Sequence, residues 1–153
     1  MEKQTRSGLT AVEMQDLQCV AGVLIPSSAE FGVPGADDPV IFADIVASLG
    51  RDLGEVRLAL AELALLARST FAAVDEADRE ALAIEFYSQS GEVAETLGRT
   101  LLQCYYRDER VIRALGLAPG PPFPRGRTLD QGDWSLLEPV SSMPPLWRDD
   151  RQR

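Results

Sequence analysis

The 153-residue chain contains no histidine. That absence excludes histidine-based zinc sites, Ser-His-Asp and Cys-His nucleophile systems, and imidazole acid-base catalysis. Lysine is almost missing too. Lys3 is the only one, so a Ser-Lys arrangement using Ser27, Ser28, Ser141 or Ser142 would have to borrow its base from the N-terminal tip. Aromatic residues make up 7% of the chain, and no apolar run approaches the roughly 20 residues that span a bilayer. The two cysteines, Cys19 and Cys104, are far apart inside apolar helical patterns and read as buried structural thiols. Neither GxGxxG nor a Walker pattern appears around Gly32, Gly35, Gly50 or Gly54, which argues against direct binding of FAD or NAD by this chain. The stretch AEFGVPGADDP lacks the alternating oxygen ligands of a calcium loop. Catalysis, cofactor binding and metal binding are therefore not expected of this chain.

What is present falls into two unequal parts. Residues 1–106 carry 7 Lys/Arg against 17 Asp/Glu, whereas residues 107–153 carry 8 against 7. Seven of the 10 prolines lie between Pro119 and Pro145. An acidic body repels phosphate backbones, so no nucleic-acid partner is expected. Nothing in Met1–Gly8 reads as an export signal, which makes cytoplasmic residence the expectation; the periplasm becomes the expectation if a signal was removed or if a partner carries one. The expected organisation is a flexible N-terminus over residues 1–8, a helical domain over 9–116 and an extended tail over 117–153.

The body has helical periodicity throughout. Thr10 and Glu13 have capping-box spacing, with Leu9 and Met14 placed as a hydrophobic staple, and open a helix over 11–25 that Pro26 ends. Val12, Leu17, Val20, Ala21, Leu24 and Ile25 form its apolar pattern. Ser27 to Asp38 reads as an ordered loop. Asp38 as N-cap and Pro39 in the first turn start a second helix, which Gly50 closes. Residues 55–73 predict a long central helix with Phe71 on its apolar face. The cluster Asp75, Glu76, Asp78 and Glu80 suits the positive end of a helix dipole better than a paired-carboxylate site. That fourth helix points Leu82 and Phe86 inward, leaves Tyr87 open between core and surface, and ends near Ser88–Gly91. A last long pattern runs from Val93 to Tyr105, breaks before Asp108 and resumes from Val111 to Leu115. No alternating β-branched run long enough for a sheet appears. The expected fold is all-α, with five or six helices in a compact bundle-like array followed by a long extended Pro-rich C-terminal arm.

That arm, APGPPFPRGRTLDQGDWSLLEPVSSMPPLWR, is too proline-rich for a helix, yet it carries Phe123, Trp134, Leu146 and Trp147 among its large apolar residues. Such side chains bury either against their own body or against another protein. Trp134 and Trp147 lie outside any helical pattern, which points to partner contact; Phe123 and Leu146 are placed with them as anchors.

The order of three segments carries a resemblance. An opening LTAVEMQDLQCVAGVLIPSS, a short helix beginning DDPVIFADIV and a late YYRDERVIRALGL followed by a Gly/Pro tail resemble the gluconate 2-dehydrogenase subunit 3 family over residues 9–117. The resemblance implies a helical, non-catalytic small subunit bound to a large FAD-dependent dehydrogenase of the glucose-methanol-choline type, which holds the flavin and oxidises a sugar or sugar acid. It also implies assembly or stabilisation of that partner. The twin-arginine export signal of some members is missing, since Arg6 stands alone. Tyr105, Tyr106, Arg107, Asp108 and Arg110 match the family's tyrosine-containing turn. Two readings stand for that turn: a core tyrosine with local ion pairs and caps, or a subunit interface at Tyr106, Arg107 and Arg110. The alternative to an accessory subunit is a stand-alone helical scaffold or regulatory module whose tail folds back on itself. A third possibility is a small lyase or isomerase using Asp, Arg and Tyr.

Overall fold

The computed structural model describes residues 8–120, 126 and 131–144, and the chain divides into two units, Met1–Gly120 and Pro121–Arg153. The described residues of the first unit form six α-helices: α1 (Ala11–Leu24), α2 (Pro39–Ser48), α3 (Leu53–Ala67), α4 (Glu76–Gln89), α5 (Gly91–Tyr105) and α6 (Glu109–Ala114). Among the described residues there is no strand, only an isolated antiparallel bridge between Ser28 and Val33 in the α1–α2 loop. The fold is all-α, as the periodicity requires. No helix is long and apolar enough to cross a membrane among the described residues.

The helix ends form where the sequence puts their signals. The Thr10 N–H donates to Glu13 Oε2 at 2.7 Å while the Glu13 N–H donates to Thr10 Oγ1 at 3.2 Å, closing a reciprocal capping box at the start of α1. Glu13 also accepts from Arg57 Nε on α3 at 2.9 Å, and that arginine is the main reason its carboxyl titrates below the ordinary value. Asp38 accepts from the Val40 and Ile41 amides at 3.0 and 3.4 Å, and Pro39 occupies the first turn of α2, where a missing N–H leaves no bond unmade.

Helix α3 is central, packing on both α4 and α5, while α2 leans on α5 and α1 lies against α4 and α3. Leu17, Ile41, Ile45, Val56, Leu63, Phe86, Leu97 and Leu101 are fully buried where these helices meet. Deleting a phenyl ring from such a site costs about 3–5 kcal/mol, because lost transfer energy and the remaining cavity add.

The structure corrects the sequence expectations at three places. The helix expected over 55–73 ends at Ala67, because Arg68 adopts a left-handed conformation (φ 54°). A short 3-10 turn, Phe71–Ala73, then carries Phe71 back into the core, so Phe71 is buried but not on α3. Val12 and Leu115, counted among the apolar patterns, are exposed, as are Val40 on α2 and Leu102 on α5, because each lies on the solvent side of its helix or just past its end. Within the described part of the tail, residues 134–141 are helical and not extended. Residues 131–144 form a 3-10 turn, Trp134–Leu137, and a one-turn helix, α7 (Glu138–Ser141). Asp133 starts it by accepting from the Ser135 amide at 3.0 Å, and Pro139 sits in the first turn of α7, where proline is compatible with helix.

Candidate partner interface

The tyrosine-containing turn joins α5 to α6. Tyr105 ends α5 with its ring buried, and its hydroxyl donates to the Pro34 carbonyl in the α1–α2 loop at 3.2 Å. Burial raises the pKa of that phenol. The Tyr106 amide donates to the Leu102 carbonyl at 3.0 Å and so closes the last turn of α5. Its ring stands edge-on to Tyr105, with centroids 5.4 Å apart, and is 53% exposed. Asp108 caps α6 by accepting from the Arg110 amide at 2.8 Å.

The two arginines of the turn face α2. Arg110 donates from Nη1 and Nη2 to the two carboxylate oxygens of Asp38, at 3.1 and 2.8 Å, and also reaches Asp108 through Nε and Nη2. A single guanidinium therefore bridges the N-cap residues of α2 and α6. It holds both carboxyls below their ordinary pKa, and they in turn raise its own. Arg107 donates to Asp44 Oδ2 through Nε at 3.2 Å and Nη2 at 2.6 Å, and its Nη2 also reaches Ser48 Oγ at 2.7 Å and the buried Cys104 Sγ at 3.3 Å. Pairing with Asp44 is the main cause of its raised pKa. Forked, doubly bonded pairs of this kind suit arginine and would not survive replacement by lysine.

Of the residues singled out in the turn, Tyr106 is thus presented to solvent, while Arg107 and Arg110, though partly exposed, bond within the body. In the tail, Trp134 is 68% exposed and its indole N–H donates to Gln131 Oε1 at 3.1 Å. Phe123, Leu146 and Trp147 lie outside the described residues.

Sequence reasoning missed a buried polar clamp. Asp16 on α1 is only 4% exposed and accepts from the Ala72 amide at 2.8 Å. Arg79 on α4 donates to the Ala72 and Val74 carbonyls, both at 2.9 Å. Together they pin the turn that carries Phe71. An acid in the middle of an amphipathic helix looks like a solvent-facing residue; only the turn folding over it shows its purpose. Beside this clamp lies an open polar cleft of about 420 Å³ that includes Gln15, Gln18, Cys19, Asp37, Glu76 and Arg79. No group of three or more Cys, Asp or Glu side chains capable of holding a metal occurs among the described residues.

Fold and site together define a small all-α protein whose tyrosine-arginine turn is locked to its second helix. Compared with protein-family models, with curated proteins and with solved structures, the chain has no significant match.

Proposed function

We propose that the protein is a non-catalytic small subunit that binds and stabilises or matures a large FAD-dependent sugar or alcohol dehydrogenase of the glucose-methanol-choline type. The supporting observation is the way the three segments that resemble the gluconate 2-dehydrogenase subunit 3 family come together. They are residues 9–28, 37–46 and 105–117, and they are bonded to one another. Arg110 and Arg107 tie the last segment to the second, and Gln18 Nε2 donates to the Asp37 carbonyl at 3.2 Å, tying the first to the second. Stretches that are plain individually are thus bonded into one unit. Flavin chemistry in this reading belongs to the partner; this chain contributes surface, with Tyr106 and Trp134 as exposed aromatic anchors.

The intramolecular bonding of Arg107 and Arg110 favours a second reading, a helical scaffold or regulatory module without a flavoprotein partner, in which those arginines only hold the body together. Co-expression separates the two. With a glucose-methanol-choline type flavoprotein encoded beside it, the accessory subunit is expected to co-purify as a yellow complex, and Trp134→Ala should weaken that complex about tenfold or more while leaving the helical circular dichroism signal intact. A colourless protein that elutes alone beside such a flavoprotein would overturn the first reading and leave the scaffold.

A further inference from the structure

Helices α1, α4 and α5 leave an apolar groove on the face centred on Tyr87. Two clefts meet there, of about 320 and 260 Å³, sharing Leu24 and Tyr87. Ile84 on α4 flanks one and Leu102 on α5 the other, and both side chains are exposed. Pockets that enclose small molecules run to about 300–1,000 Å³ and surround most of the ligand. One cleft is at the bottom of that range and the other below it, and both are open along one side, dimensions that suit inserted side chains of a protein partner. Gly98 and Leu102, one turn apart on α5, form one wall of the second cleft.

The groove is held open by a contact between α4 and α5. The Tyr87 hydroxyl lies so close to Gly98 that a Cβ on that glycine would fall 2.9 Å from it. Glycine at 98 therefore lets the phenol ring lie across α5 as a shared wall between the clefts. Burial raises the Tyr87 pKa to about 12, so the group stays a neutral phenol, suited to an apolar surface with one polar atom.

Charge selects the occupant. Among the described residues, Glu80 is the only charged one lining either cleft. The 17 acids against 7 bases of residues 1–106 disfavour a second copy of the same face and disfavour anionic lipid. We infer that this groove seats an amphipathic helix of a partner chain, its aliphatic side chains entering the clefts on either side of Tyr87 and its flanking Lys or Arg residues facing Glu80 and the acidic body around it. The inference does not depend on the partner being a flavoprotein.

A fluorescein-labelled amphipathic peptide of about 14 residues, with Leu on one face and Lys on the other, provides the probe, with a Glu-for-Lys isomer beside it. Titrated with the full chain near physiological salt, the Lys peptide should bind saturably and the Glu isomer at least about tenfold more weakly. Ile84→Asp with Leu102→Asp should lower the Lys peptide's affinity at least about tenfold, whereas Leu58→Asp with Leu65→Asp, the same charge change at exposed leucines of α3, should leave it unchanged. All four positions are exposed, so folding should survive, and circular dichroism checks it. Gly98→Ala is a milder version, expected to keep or raise thermal stability while weakening the peptide several-fold. Equal loss from the α3 pair, or no loss from the groove pair, would overturn the proposal. So would concentration-dependent dimerisation abolished by the groove pair, which would make a second copy the occupant, or binding to phosphatidylserine vesicles through the same residues.

Discussion

Arg110 and Asp38 stand 72 residues apart in the chain and meet through two parallel hydrogen bonds that link the start of α6 to the start of α2. Asp38 is already capping its own helix, so one carboxylate both satisfies amide donors and receives the guanidinium. Removing the charge from either side should cost about 1 kcal/mol, the upper end for a partly exposed pair, because the fork geometry is good and Asp108 shares it. Asp38→Asn retains the cap and isolates the ion pair. Urea melts of Arg110→Met, Asp38→Asn and the double variant should show a coupling of at least about 0.5 kcal/mol; simple additivity would mean that the contact carries no energy.

The same bridge makes an acid-sensitive contribution. Asp38 and Asp108 both titrate below the ordinary 3.8 in the folded protein, chiefly because Arg110 bonds them. A depressed folded value means that the unfolded chain takes up protons first as pH falls. The stabilisation is therefore complete above the ordinary value and is lost as pH drops through the folded one. The gap in melting temperature between the natural chain and Arg110→Met should hold steady from about pH 8 to about pH 5 and narrow below about pH 4. A gap that stayed the same down to about pH 2.5 would contradict this.

Two glycines should respond in opposite directions to the same added methyl. At Gly35, which is buried, a Cβ would lie 2.3 Å from Asp37 Oδ1 and 3.0 Å from the Ser27 backbone nitrogen. Gly35→Ala should cost about 1–3 kcal/mol through forced displacement. Gly54 lies in the first turn of α3 with nothing near the added atom, so Gly54→Ala should stabilise by up to about 1 kcal/mol by restricting the unfolded chain. Thermal melts of the two variants give the comparison directly.

The cysteines should differ in access and share a high pKa. Cys19 is half-buried beside the polar cleft and Cys104 is buried under Arg107. Burial is the main cause of the upward shift of both thiols. A maleimide should label Cys19 slowly, with a rate that keeps rising above about pH 9, and should reach Cys104 only on unfolding. Mass spectrometry of the labelled peptides distinguishes the sites. Labelling of Cys104 in the native protein at a rate equal to that of Cys19 would argue against the packing of α5 on α2.

Much of the body can be read directly from the chain because its signals are local. Thr10 with Glu13, Asp38 with Pro39, and Asp108 before Val111 are caps that act within one turn, and each starts a helix where its residues say it should. The end of α3 is different. Nothing near Arg68 demands a left-handed residue; the reversal is favourable because it delivers Phe71 to a buried site and the Ala72 amide to Asp16, both contacts with distant parts of the chain. In the tail, proline content argued against helix at 131–144, whereas Asp133 and the position of Pro139 make a short helical segment compatible with it.

For the candidate site the division is sharper. The residue types of the Tyr-Tyr-Arg-Asp turn announce a structured feature, but its direction is invisible in one dimension. Arg107 and Arg110 could have faced outward; they face α2 because Asp44 and Asp38 are there to receive them. Leu102 and Ile84 belong to ordinary amphipathic patterns, and only the spacing of α1, α4 and α5 leaves them uncovered around Tyr87. Sequence alone determined the all-α class, the helix starts and the acidic character, since propensity, capping and charge depend on neighbours along the chain. Tertiary structure alone decided which arginines are bonded within the body and which apolar side chains remain free to meet a partner, since burial depends on what other helices bring to the same place.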